Sequence, residues 1–132
     1  MKEIKPYFHI VNYWETDQMG IVHHSNYVKW LEEARLHFLR EIGMPYKEIE
    51  NLGYMLPVYE VIIKYKNPAK FEDSILVETK IYEINFHKLV LSYNIYSNKK
   101  LIAIAKTIHP WTDKNLKIKK VDEQIIDKLK LI

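Results

Sequence analysis

One amphipathic helix stands ahead of four strand-like runs, with no second helix of comparable length among them. From Tyr27, apolar residues recur at Leu31, Ala34, Phe38 and Ile42, and Val28, Trp30 and Leu39 widen the stripe. That spacing predicts a helix over 27–42, about 24 Å long. Ser25 or Asn26 is the expected cap at its start, Glu32 and Glu33 lie early and Arg40 late, as the helix dipole prefers. Gly43 and Pro45 end it. The stretches "VYEVIIKYK" (58–66), "SILVETKIYEI" (74–84), "KLVLSYNIYS" (88–97) and "LIAIAKTIHPW" (101–111) carry the two-residue alternation of strands. Asn85 and "SNKK" (97–100) are short enough for hairpin turns. "YFHIVNYW" (7–14) reads as one further strand. Residues 46–52 read as a short helical turn, and 122–131 as a surface helix with Val121 placed to staple against Ile126.

Strand, long helix, then antiparallel strands gives two layers, a curved sheet with the helix on its concave face. Small Ala103 and Ala105 are expected to let the helix approach closely. One helix covers one side only, so a second subunit supplying another sheet edge is expected. At 132 residues the chain reads as one domain, 1–132. The absence of cysteine excludes a disulfide framework, a thiol nucleophile and Cys-ligated zinc. The formal net charge of +3 is carried by lysines, with only Arg35 and Arg40 as arginines. The densest basic run, "KNLKIKK" (114–120), is short, so nucleic-acid binding is not expected. The N-terminal stretch lacks an apolar leader core, and no run approaches the length of a membrane span, so a cytoplasmic protein is expected.

The chemistry concentrates in "TDQMGIVHHSNYVKWLEEAR" (16–35), where a carboxylate, a glycine and two adjacent histidines lead into the helix. With its flanks, "YWETDQMGIVHHSNYVKWLEEAR" resembles the signature of the hotdog-fold acyl-CoA thioesterases. Within them it is similar to the branch of the 4-hydroxybenzoyl-CoA thioesterase and its tol–pal-associated relatives. The resemblance continues through "VYEVIIKYKNPAKFEDSILVETKI" (58–81), with its tyrosine, Pro-Ala pair and polar turn. It implies an α+β hotdog fold, a five-stranded antiparallel sheet wrapped around one long central helix, with active sites at a subunit interface of a homodimer or homotetramer. It implies Asp17 as the catalytic carboxylate, accompanied by His24 and Tyr13, with Gly20, His23, Asn26 and Tyr27 in the substrate-binding constellation. His23 stands where the family frequently has an aromatic residue.

Thioester hydrolysis needs an activated water or a nucleophile, and donors for the oxyanion that develops on the carbonyl. A helix start offers unpaired backbone N–H groups and the positive end of the dipole. The His24 N–H is the expected donor, and Asp17 is expected to fold back over the same helix start through a turn at Gly20. Asp17 is expected to serve either as general base or as nucleophile. Glu33 is the reserve carboxylate, because another hotdog branch carries its acid on the helix. Thiolate is a good leaving group, so neither metal nor cofactor is required. Without a phosphate-cradling motif, the phosphates of coenzyme A are expected to meet surface lysines. The family often places a basic residue near the strand start occupied by Lys88, and Lys64, Lys66, Lys99 and Lys100 are compatible. Hydrolysis of acyl groups on acyl carrier protein, and a non-catalytic acyl-binding module of the same fold, are the alternatives. A GxSxG elbow and an HExxH zinc cluster are both absent from the sequence.

Overall fold

A computed structural model describes residues 3–131. The alternating runs pair as one antiparallel sheet built from β1 (Tyr7–Ile10), β2 (Glu60–Tyr65), β3 (Ser74–Ile84), β4 (Lys88–Ser97) and β5 (Lys100–Pro110). The strand order is β1-β3-β4-β5-β2, so β1 and β2 are the two edges. The turn between β3 and β4 is organised by Asn85, whose Oδ1 accepts the N–H groups of His87 and Lys88. Asn98 and Lys99, both at positive φ, make the two-residue turn between β4 and β5.

Among the described residues three α-helices complete the fold: α1 (Ser25–Glu41), α2 (Tyr46–Asn51) and α3 (Glu123–Lys130). The apolar stripe of α1 is buried through Tyr27, Trp30, Leu31, Ala34, Phe38 and Leu39. These share one core with Ile75 and Val77 of β3 and with Leu89, Leu91, Tyr93 and Ile95 of β4. Val121 and Ile126 both join that core as the C-terminal helix docks. Each buried side chain of this size contributes about 1.5–3 kcal/mol, so the stripe fixes where α1 lies on the sheet.

Three expectations are corrected. The first strand stops at Ile10, and Tyr13–Glu15 forms a 3₁₀ turn instead. The cause is Glu15, whose carboxylate takes the Asn12 N–H at 2.7 Å and bends the chain. Neither Ser25 nor Asn26 caps α1, because His24 occupies the cap position and the Ser25 and Asn26 side chains bond elsewhere. Helix α1 packs mainly on β3 and β1 rather than on β5. Ala103 and Ala105 instead sit between bulky cross-strand neighbours, Ala103 between Ile95 and Tyr65, Ala105 between Tyr93 and Ile63. Small side chains there leave room for large ones on either side.

Candidate active site

The segment between β1 and α1 folds back on itself as a tight turn. Thr16 bridges Val22, the Asp17 N–H donates to the Ile21 carbonyl at 2.8 Å, and the Gly20 N–H donates to the Asp17 carbonyl at 3.0 Å. Gly20 adopts φ +80°, a left-handed conformation that a side chain would oppose. The carboxylate of Asp17 supports its own turn, Oδ1 accepting the N–H of Met19 at 2.8 Å and that of Ile21 at 3.4 Å. Among the described residues nothing hydrogen-bonds its Oδ2.

This turn docks on the segment that follows β2. The Val22 N–H donates to the Ala69 carbonyl at 2.8 Å, and Ile21 bridges Lys70. A cleft of about 360 Å³ lies between the two segments. Asp17, Ile21, Val22, His23, His24 and Tyr27 line one side, and Tyr65, Lys66, Asn67 and Pro68 the other.

The start of α1 opens onto this cleft. The His23 N–H donates to the Glu15 carbonyl at 2.9 Å, the Asn26 N–H to the His23 carbonyl at 3.0 Å, and the Tyr27 N–H to the His24 carbonyl at 3.1 Å. The Ser25 N–H donates to His23 Nδ1 at 3.2 Å. The N–H of His24 has no acceptor among the described residues. A backbone donor at the positive end of a helix is what a developing oxyanion requires. Because Nδ1 of His23 accepts from Ser25, its ring proton belongs on Nε2. The rings of His23 and His24 stack with centroids 4.2 Å apart.

Aromatic rings from the two sides of the cleft meet. Tyr27 and Tyr65 meet edge to face with centroids 4.9 Å apart. Burial, and next the neighbouring Tyr65, push the Tyr27 phenol up to about 12. Burial also raises the Tyr65 phenol. Both are therefore neutral at physiological pH, and Lys66 brings a positive charge to the side that Tyr65 lines.

Of the residues singled out in the sequence, Asp17, His23, His24 and Tyr27 come together in the cleft, and Gly20 forms the turn that carries Asp17. Asn26 is buried at 5% exposure, and its side-chain amide bonds the Glu15 carbonyl at 2.9 Å and the His23 carbonyl at 3.3 Å. It braces the loop and does not line the cleft. Tyr13 is 75% exposed, outside the cleft, with its ring edge-on to Phe71. Lys88 lies at the opposite end of β4, paired with Pro110 and with its amine 3.8 Å from Glu83. Of the lysines, Lys66 lines the cleft, whereas Lys64, Lys99 and Lys100 do not. Glu33 is exposed on α1 and is likewise not part of the lining. Among the described residues no cluster of His, Asp and Glu is placed to hold a metal ion.

Three polar residues at or next to the cleft escaped assignment from sequence: Glu15, Tyr65 and Asn67. Tyr65 and Asn67 stand in "YKNPAKF", whose Pro-Ala pair was the available signal. For Glu15 the signal was a single acid within the aromatic stretch "VNYWET".

Residues 11–129 match the model of the family described as the Thioesterase-like superfamily. The chain is 38% identical over 97 residues, 74% of this chain and 70% of the relative, to the Bacillus subtilis (strain 168) protein named "Putative acyl-CoA thioesterase YneP". Among solved structures, the hypothetical protein TT1821 from Thermus thermophilus superposes with a TM-score of 0.89 at 33% identity, covering 96% of this chain and 98% of that one. A DHNA-CoA thioesterase from Staphylococcus aureus superposes with a TM-score of 0.85 at 26% identity, covering 93% of this chain and 84% of the other.

Proposed function

Because this chain belongs to the Thioesterase-like superfamily and has its hotdog architecture, we propose that it hydrolyses small-to-medium acyl-CoA thioesters, with Asp17 and the His24 N–H as its working groups. The observation that carries this reading is their shared cleft, which presents a carboxylate oxygen and a backbone donor at a helix start, neither of them bonded within the described chain.

In the general-base route, Asp17 takes a proton from water as the water oxygen attacks the thioester carbonyl carbon. The electron pair of the C=O bond moves to oxygen, and the oxyanion is met by the His24 N–H and the positive end of α1. Collapse breaks the C–S bond, and the thiolate of coenzyme A leaves and recovers the proton. In the nucleophilic route, Asp17 attacks the same carbon, the C–S bond breaks to release the thiolate and leave an acyl–Asp17 mixed anhydride, and water then hydrolyses that anhydride to the free acid and the regenerated carboxylate. One such oxyanion donor is worth about 10²–10³ in rate. A cleft of about 360 Å³ suits a small or medium acyl group. Lys66 is positioned to meet an anionic group of the carrier.

The same reading includes a homodimer as the smallest active unit. Edge strand β2 leads directly into the cleft wall at Tyr65 and presents exposed apolar side chains, with Ile62 at 42% and Tyr65 at 49% exposure. Edges of this kind invite pairing with a further strand. A second copy pairing through β2 would place its own residues beside this cleft. No helix among the described residues is long and apolar enough to cross a membrane.

The test is a hydrolysis panel across short, long and aromatic acyl-CoAs, with acyl carrier protein thioesters alongside. Turnover of an acyl-CoA supports the reading. Turnover of carrier-protein thioesters alone would move the assignment to that substrate. Acyl binding without turnover of either would make the chain a binding module.

A further inference from the structure

We propose that Glu15 is the positioning residue of this site, holding the His23–His24 peptide so that the His24 N–H stays free at the helix start. The proposal rests on the thioesterase reading above.

Glu15 is 2% exposed, which is unfavourable for a carboxylate unless donors surround it. Four do. Its Oε1 accepts the Asn12 N–H at 2.7 Å, His9 Nε2 at 2.8 Å and Asn12 Nδ2 at 3.3 Å, while Oε2 accepts the indole N–H of Trp30 at 2.8 Å. Burial pushes this carboxyl up, but the bonds from Asn12, His9 and Trp30 outweigh it and hold the group below the usual carboxylate range. A charged, two-oxygen acceptor is therefore locked between the loop and α1, which carries Trp30.

The main chain of the same residue then reaches the site. The Glu15 carbonyl accepts the His23 N–H at 2.9 Å and Asn26 Nδ2 at 2.9 Å. Asn26 in turn donates to the His23 carbonyl, from its N–H at 3.0 Å and from Nδ2 at 3.3 Å. A peptide is planar and trans, so the His24 N–H points opposite to the His23 carbonyl. With that carbonyl drawn down the helix by Asn26, the N–H is directed off the helix start, where His24 lines the cleft. An apolar side chain would fill the volume of Glu15, but only an acceptor with two oxygens satisfies Asn12 and Trp30 together.

The experiment compares wild type, Glu15→Gln, Trp30→Phe, the Glu15→Gln/Trp30→Phe double variant and Asn26→Ala. Steady-state kinetics on an acyl-CoA, backbone amide exchange and thermal unfolding are measured on each. In Glu15→Gln one amide hydrogen faces a donor, so kcat should fall about 10-fold or more with KM within about 3-fold. Exchange at His23 and Asn26 should quicken while amides of β3 to β5 keep their protection. Trp30→Phe removes the opposing indole donor, so the double variant should recover much of the kcat lost in Glu15→Gln. Asn26→Ala leaves the carboxylate network intact and should show the same kcat loss. Full kcat in Glu15→Gln and Asn26→Ala, or loss of protection across the whole sheet in step with kcat, would overturn the proposal. A wild type that turns over no thioester defeats the functional reading instead, and the exchange at His23 still decides whether Glu15 holds the peptide.

Discussion

The backbone carbonyl of Ala69 accepts the N–H of Val22 at 2.8 Å, and this bond joins the two halves of the cleft. It ties the turn that carries Asp17 to the loop that follows edge strand β2, with the Ile21–Lys70 bridge beside it. Ala69 is fully buried, so the bond that ties the two lining segments together is shielded from solvent. The two sequence stretches that carried the resemblance are thereby one structural unit.

Stability should fall steeply below neutral pH because of His109. This residue is fully buried, with Nε2 2.7 Å from Thr107 Oγ1 and Nδ1 3.3 Å from the Leu56 carbonyl. Burial, and next the Arg35 guanidinium, lower its pKa to about 4. A histidine depressed in the folded state contributes stability that is complete above its unfolded pKa near 6.5, and that stability is lost as pH falls through 4. The linkage is worth on the order of 3 kcal/mol across that window. Denaturant unfolding at a series of pH values should show the decline in wild type and a shallower slope in His109→Gln. Parallel slopes would remove His109 from the account.

Helix α1, the five strands and their hairpins were legible because each buries one face, and burial imposes a period on the sequence. The Asp17 turn was legible through Gly20 and its distance from the helix start. What escaped was set by tertiary contacts with no period. Tyr13 and Trp14 have the composition of a strand, yet the Glu15 carboxylate takes the Asn12 N–H and turns them outward. Asn26 looked like a cap or a ligand contact because its amide's partners, Glu15 and His23, are brought to it by the folded loop. The resemblance points to Lys88 along the sequence, but strand β4 carries it to the far end of the sheet from Tyr65 and Ala103.

Lys66 gives the carrier's charge a measurable partner. Exposed charge pairs are screened with a Debye length of about 10 Å at 0.1 M salt. KM for an acyl-CoA should therefore rise with ionic strength while kcat changes little. Lys66→Met should raise KM by about 2- to 5-fold at low salt and flatten its salt dependence, the scale of an exposed pair. An unchanged salt dependence would show that Lys66 meets no phosphate.

Assembly and activity should be lost together on dilution. If β2 pairs with a second copy beside the cleft, activity per chain falls below the dimer dissociation constant, together with thermal stability. Light scattering and turnover measured on one concentration series check this. A fully active chain of 15.9 kDa in solution would contradict the shared interface.

The most direct measurement is kcat of Asp17→Asn on the best acyl-CoA found for wild type. Asparagine retains an oxygen to accept the Met19 and Ile21 N–H groups, so the turn and the thermal transition should be preserved. It offers neither a base nor a nucleophile, so kcat should fall by about 10² or more. A folded Asp17→Asn variant that keeps wild-type kcat would contradict the assignment of Asp17 as the group that performs the hydrolysis.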